Sequence, residues 1–492
     1  MQTLDNKRVR QLLLQATMGF NTNDVNRALD SGSIETWIQN QISTGRSSLV
    51  SFQEKIQAAH SQPDRGSMHF KLGYTDMLMN RNDILRHRIT YILTQLFVVS
   101  VKAPGLSSNS RRIAFAKYYD NLARACFGSF RELLKVMATS PVMGHYLTYL
   151  NNDAVAGVAP DENFARELMQ LFSIGPALMR MDGTIVTEDG RPVLSYTQED
   201  IEEGARVMTG WGLHDDRWDV PMREKDGAHD LKAKTILGHD FPAGAVAEQD
   251  LDQFLDVLCQ HENIAPFIAK FFIQKMVSSN PSPDYVYRVA TAFRDSDLDM
   301  VSMINAILTD PEADYSRNEE HDGLMRDPII LLSHVFRALR IKLKPGQEIL
   351  PNSFTWYDRR FIFEAPSVFY HYQPDEAPND GRFDGITAPA FKLYNWDDIH
   401  LYYRQITLLG VVLESQNSEY YMDRDGIIKH FFETENDEKL IDELDRVIFA
   451  YTMTDAMKQV IHQYLGYAKR NNAHLRALII QLLMSPQFTT QG

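Results

Sequence analysis

The chain has 492 residues, 44% hydrophobic and 23% charged, with 26 glycines and 20 prolines, a balance that excludes disordered, collagen-like and linker-dominated proteins. Fifty Lys and Arg against 65 Asp and Glu leave a net charge of -15, which disfavours nucleic acid and anionic lipid as partners. Two cysteines, Cys126 and Cys259, are too few for a disulfide framework or a four-ligand zinc site, and no apolar run reaches the roughly 18 residues of a membrane span.

The first residues, Met1 to Asp5, enter a helical pattern without a basic segment and apolar stretch of the signal-peptide kind. As it stands the chain reads as cytoplasmic, or as periplasmic or exported if a leader has been trimmed. Ile34, Trp37, Ile38 and Ile42 then set a helical stripe, as do Leu251, Phe254, Leu255 and Leu258. Strand-like alternation is nearly absent. The expected fold is therefore all-α, a large multi-helix assembly of two closely packed helical regions with long irregular loops and at most a small β-hairpin.

The stretch Pro160 to Gly175 is the richest in chemistry. Asp161 is placed to cap a helix whose core stripe is Phe164, Leu168, Leu171 and Phe172, and Gly175 followed by Pro176 ends it. On another face Asn163, Arg166, Glu167 and Gln170 fall at i, i+3, i+4 and i+7, so four hydrogen-bonding side chains share one row. That row suits the orientation of a substrate or water; equally, it suits a solvated face with a Glu162/Arg166 pair. Residues 175 to 196 contain Asp182-Gly183, Asp189-Gly190 and Pro192, a pattern for a hairpin or long loop.

Tyr196 to Trp211 begins a second helix, with Thr197 and Asp200 at capping-box spacing and Glu203 and Arg206 at i, i+3. Paired carboxylates on adjoining helices can divide acid and base roles when burial separates their pKa values. The following loop, Trp211 to Pro242, carries His229-Asp230, Lys234 and His239-Asp240. His229 and Asp230 are weak candidates for metal ligands or a proton shuttle, because neighbouring side chains on a loop usually point apart. Asp295, Asp297 and Asp299 imitate a calcium loop, but Met300 and Ala306 occupy positions that need Gly and Glu. A third irregular stretch, residues 345 to 396, is rich in proline and aromatics. No GxSxG, HExxH, GxxxxGK[ST] or GxGxxG is present, so the common serine-hydrolase, zincin, P-loop and dinucleotide classes are disfavoured, and the sequence leaves any cofactor unknown.

Several phrases in order resemble the bacterial family catalogued as domain of unknown function number eighteen hundred. They are Leu13 to Phe20, Leu85-Arg86-His87-Arg88, Thr94 to Ser100, the Pro160 to Gly175 helix, Tyr196 to Trp211 and His229-Asp230 with Lys234. Pro266 to Ala269, Ser279 to Pro283, Ala365 to Phe369 and Ser485 to Phe488 with Gln491 follow. The chain departs from the family pattern at Arg294 to Leu298, where a Gly-rich turn is usual, and at Tyr370-His371, where Asn-Phe is usual. The resemblance covers nearly the whole chain and implies one unit over 1–492, with an N-terminal helical sub-region 1–174, a loop-rich site region 175–245 and a C-terminal helical sub-region 246–492. The family brings no agreed activity. Its usual gene neighbour, a sulfatase-like exported protein, suggests an envelope polymer such as a glycan as substrate.

Three readings stay open. In an enzyme, Glu167 would be acid or base, Arg166 and Arg206 anion stabilisers, Glu203 a second carboxylate and His229 a shuttle, with Asn163, Gln170, Tyr196, Trp211 and Lys234 binding substrate. The alternatives are a non-catalytic partner or scaffold for the sulfatase-like neighbour, and a metal-binding protein. The two polar rows are expected to meet near His229.

Overall fold

The computed structural model describes residues 4–59, 68–106, 109–314, 323–343, 361–372, 420–422, 427–433 and 437–491, together with Glu376, Thr387 and Lys392. Helices dominate. The N-terminal part is built from α1 (Asn6–Ala16), α2 (Thr22–Ser31), α3 (Ile34–Ser43), α4 (Leu49–Ala59), α5 (Met68–Asn80), α6 (Ile84–Leu96), α7 (Asn109–Ala125), α8 (Phe130–Ala138) and α9 (Pro141–Tyr146). Polar side chains start them where the sequence places Asp, Asn and Ser: Asp5 accepts from the Arg8 N–H, and Asn21 forms a reciprocal box with Asp24.

Helix α6 has no polar face, since all of its residues are buried. A helix of this kind sits in the interior and needs partners for its charges. Backbone carbonyls from other helices provide them: Arg86 Nη1 donates to Ala123 O at 2.8 Å, and Arg88 Nη2 donates to Lys275 O at 2.6 Å. The second of these contacts ties α6 to α13 (below).

In the middle of the chain α10 (Asn163–Gln170) leads to a meander over 177–194, in which β1 (Thr187–Glu188) pairs with β2 (Arg191–Pro192). Helix α11 (Gln198–Val207) follows, then short antiparallel ladders of β3 (Trp211–Gly212) with β4 (Arg223–Glu224) and β5 (Lys234–Ile236) with β6 (His239–Phe241). Of the two forms open for 175–196, a hairpin or a long loop, a hairpin is present, and every ladder among the described residues is a two-stranded antiparallel pair.

The C-terminal part contains α12 (Ala247–Gln260), α13 (Ile264–Met276), α14 (Pro283–Asp295), α15 (Met300–Thr309) and α16 (Pro328–Ala338), with further helices at Ile427–Glu433, Asp437–Leu444, Asp455–Tyr467, Asn472–Leu483 and Pro486–Thr489. Asp299, one of the three Asp residues that mimic a calcium loop, caps α15 by accepting from Ser302 N at 2.7 Å. The chain end is drawn back into the fold. Thr490 and Gln491 pair with Met325 and Leu324, and Gln491 Nε2 donates to Met276 O at 2.6 Å.

Buried apolar side chains form a continuous cluster from Leu4 to Phe488. Part of the third irregular stretch joins it. Phe361 and Phe363 pack among Phe70, Tyr74, Phe115 and Tyr118, while Val101 N donates to Phe363 O and Ser100 Oγ to Ala365 O, each at 2.8 Å. These anchors hold residues 368–372 against α6 and α13. The rest of that stretch lies outside the described residues, apart from Glu376, Thr387 and Lys392.

Candidate functional site

Helix α10 starts one residue later than its capping signal suggests: Asp161 Oδ1 accepts from Asn163 N at 2.9 Å, an Asx turn that leads into the first helical residue. Phe164, Leu168 and Phe172 are buried as the stripe requires. Gly175 closes the segment with φ +74°, and a Cβ there would lie 2.7 Å from the Phe267 ring, so both conformation and space call for glycine. The polar row divides by environment. Asn163 is exposed, and Arg166 pairs with Glu162 at 2.8 Å and reaches Gln198 of α11 at 3.4 Å.

Glu167 differs from its neighbours. It is partly buried, and its Oε2 is sealed from solvent with no hydrogen-bond partner. Burial raises its pKa above the ordinary range, and the nearby Arg166 guanidinium only partly opposes this. Two phenols lie within its field. Tyr146 and Tyr196 both titrate high, first because they are buried and also because the Glu167 carboxylate disfavours a second negative charge; Arg166 offsets part of this at Tyr196. Tyr146 also packs against the small apolar cluster of Val98, Ala365, Tyr370 and Tyr372.

Helix α11 begins with the expected reciprocal box between Thr197 and Asp200, and Asp200 Oδ1 also accepts from Leu237 N at 2.6 Å in the β5–β6 turn. Its Gly204 faces Ala165 of α10, so the two helices pack closely there. Arg206 is fully engaged: Nη1 meets Glu203 at 2.5 Å, Nε and Nη2 grip Asp230 at 3.0 and 3.2 Å, and Nη2 also donates to Ala233 O at 3.0 Å. Burial works against ionisation of Asp230, but the Arg206 fork overrides it and holds the carboxyl down at about 2.

His229 turns away from Asp230. Its Nε2 lies 2.9 Å from Asp250 Oδ2 and its Nδ1 2.9 Å from Thr209 O. Lys234 Nζ joins at 2.6 Å from the same Asp250 oxygen, and all three side chains are buried. Gly210 makes this possible: with φ +81°, its Cβ position would fall 2.8 Å from His229 N, so only glycine lets the two backbone segments approach. Trp211, on the next residue, is buried with its indole N–H unpartnered. Among the described residues no group of three or more His, Cys, Asp or Glu is arranged to hold a metal.

A separate cavity of about 570 Å³ opens between α6, the end of α10, α13 and residues 368–372. Helix α13 presents Phe267, Lys270, Phe271 and Gln274 to it, a second stripe at i, i+3, i+4 and i+7 opposite the buried one. Gln95 and Leu96 come from α6, and Gln170 and Leu171 from α10. Phe369, Tyr370 and Tyr372 close the far side. Lys275 Nζ lies 4.8 Å above the Tyr372 ring, whose hydroxyl donates to Asp327, the N-cap residue of α16. Gln95, Gln274, Lys275 and Tyr372 also border a small recess of about 30 Å³ beneath the cavity, where Asp327 and Arg326 lie.

The residues singled out in sequence therefore fall into three places. Gln170 lines the cavity, and Glu167, one turn before it on the same helix, is linked to the cavity wall through Tyr146. Arg206 and Glu203 join Asp230, whereas His229 and Lys234 join Asp250. The cavity wall itself carried no signal from residue type or spacing, although the phrases at 94–100, 266–269, 279–283 and 365–369 all contribute to it. Asp250, which sits beside the apolar stripe of α12, carried no signal in the sequence.

A family model described as "Protein of unknown function (DUF1800)" matches residues 11–490. Among curated proteins and among solved structures, no significant match is found.

Proposed function

The chain belongs to the family of proteins of unknown function DUF1800, and from that premise we propose that it is an enzyme acting on an envelope polymer such as a glycan, with Glu167 as its acid or base. The observation that carries this reading is the unpartnered, solvent-sealed Oε2 of a partly buried carboxyl whose pKa is raised. A structural carboxylate in the same position would normally be paired, as Asp230 is through both of its oxygens. A carboxyl whose pKa is raised gives and takes a proton closer to neutral pH than an ordinary one, so it can donate its proton to a leaving oxygen and recover it from water.

In this reading Gln170 and Asn163 contact substrate from the same helix, and Tyr146 and Tyr196 keep the carboxyl dry. Arg166 holds α10 to α11 through Glu162 and Gln198. Glu203, Arg206, His229 and Lys234 act one step removed, by fixing the loop that includes Trp211. The test is release of reducing ends from bacterial envelope polysaccharide. The intact protein should release them and Glu167→Gln should be slower by roughly 100-fold or more; equal rates would sink the assignment.

A second reading is a non-catalytic scaffold for a sulfatase-like partner. The ion-paired networks around Arg206 and Asp250 favour it, since such networks can specify packing without chemistry. Co-elution with the sulfatase-like neighbour, unaffected by Glu167→Gln and without polysaccharide release, would select this reading over the first.

A further inference from the structure

We infer that the cavity between α6, α13 and residues 368–372 is a binding site for a sugar ring, with the Gln95 carbonyl oxygen accepting a hydrogen bond from one of its hydroxyls. For ligand class this rests on the polymer reading above, but it concerns binding alone and stands whether or not Glu167 performs chemistry.

Gln95 carries the argument. The residue is 7% exposed, borders both the cavity and the recess beneath it, and its Oε1 is buried with no hydrogen-bond partner. A buried acceptor left unpaired is costly, so an unpaired acceptor on a residue that lines both the cavity and its recess marks the place where a ligand donor is missing. A carboxylate or phosphate, which only accepts, cannot fill that role. A hydroxyl can.

The walls select the rest of the ligand. Phe267, Phe271 and Tyr370 offer flat apolar faces, while Gln170, Gln274 and Asn280 place amides between them. Backbone contacts orient two of these amides: Gln274 Nε2 donates to Ser279 O at 3.2 Å and Asn280 Nδ2 to Thr387 O at 2.9 Å. Aromatic faces next to amides that both donate and accept match a pyranose, whose C–H face is apolar and whose edge carries hydroxyls. The volume of about 570 Å³ is in the range of small-ligand sites. An extended peptide fits less well, because peptides of that kind commonly add to an open strand edge and this lining is made of helices and irregular chain.

The experiment is titration calorimetry of the full chain with tetrasaccharides of glucose, N-acetylglucosamine and galacturonic acid, and with a tetra-alanine peptide as the competing class. At least one tetrasaccharide should saturate a single site and the peptide should not. Gln95→Leu should weaken that binding roughly tenfold while leaving the melting temperature unchanged or raised, since it removes an unpaired buried acceptor. Phe369→Ala, at a cavity residue that is 47% exposed, should weaken binding several-fold with an unchanged melting temperature. Absence of heat with all three sugars, saturation by the peptide alone, or wild-type affinity in Gln95→Leu would overturn the inference. Sugar binding without any polysaccharide release by the intact protein would leave it standing and remove the catalytic reading; release with wild-type kinetics in Gln95→Leu would do the reverse.

Discussion

Two polar regions draw on α10 and α11, and they differ in whether their buried groups have a charged partner. Around Arg206 and Asp250, Arg206 and Lys234 meet carboxylates at 2.5 to 3.0 Å and His229 lies 2.9 Å from Asp250 Oδ2, so each carboxylate has an ion-pair or histidine partner even though Asp250 Oδ1 is buried without a hydrogen bond. Around Glu167 and Gln95, buried oxygens have no partner and a cavity lies alongside. The first arrangement stabilises the fold; the second costs stability, which a protein retains only where something else is gained. The contrast separates structural charges from candidate working ones more sharply than residue type does, because both regions contain Arg and Glu.

The comparison can be broken by mutation, and the largest effect is expected at Asp250. Asp250→Ala leaves the Lys234 ammonium buried without its carboxylate, and chemical denaturation should show a loss of about 3–5 kcal/mol. A loss under 1 kcal/mol would mean that the cluster is not structural. Arg206→Ala, which removes the partner of Asp230 and Glu203 at a less buried site, should cost about 2 kcal/mol in the same assay.

Glu167→Gln should act in the opposite direction and stabilise the protein by about 1 kcal/mol at pH 7, since it replaces a carboxyl that burial penalises when charged. The pH dependence sharpens the point. Because the folded pKa of Glu167 is raised, its penalty is absent below the ordinary value of 4.5 and grows as pH rises through the folded value, so the gain from Glu167→Gln should disappear in acid. Asp230 has the reverse sign: its contribution is complete above about 3.8 and is lost as pH falls toward about 2, so Asp230→Asn should flatten the acid limb of the stability profile. Melting curves over pH 2 to 8 would expose both slopes, and slopes of the same sign would end the contrast. The smallest effect is expected from Phe369→Ala, within about 0.5 kcal/mol of the parent protein in stability.

Much of the helical framework was legible because it depends on local spacing. The Thr197–Asp200 box, the stripe of Leu251, Phe254, Leu255 and Leu258, and the Glu162/Arg166 and Glu203/Arg206 pairs each involve residues within one or two turns. The candidate site was legible only in part. Glu167 and Gln170 stood out on α10, but their row did not meet the α11 row at His229: adjacent His229 and Asp230 diverge, one to Asp250 and the other to Arg206. Helix α13 was the harder case. Its run Ile264 to Met276 reads as an apolar helix interrupted by Lys270, Gln274 and Lys275, and those interruptions with Phe267 and Phe271 are its cavity face.

By itself, the sequence determined a mostly helical chain of family type, the ends of its helices and which of its faces are apolar, since capping and periodicity act over a few residues. Only the tertiary structure decided which polar groups were to be satisfied and which left open. That outcome depends on partners such as Gln95, Phe271 and Tyr370, which are far apart along the chain and share a cavity only after packing brings α6, α13 and residues 368–372 together.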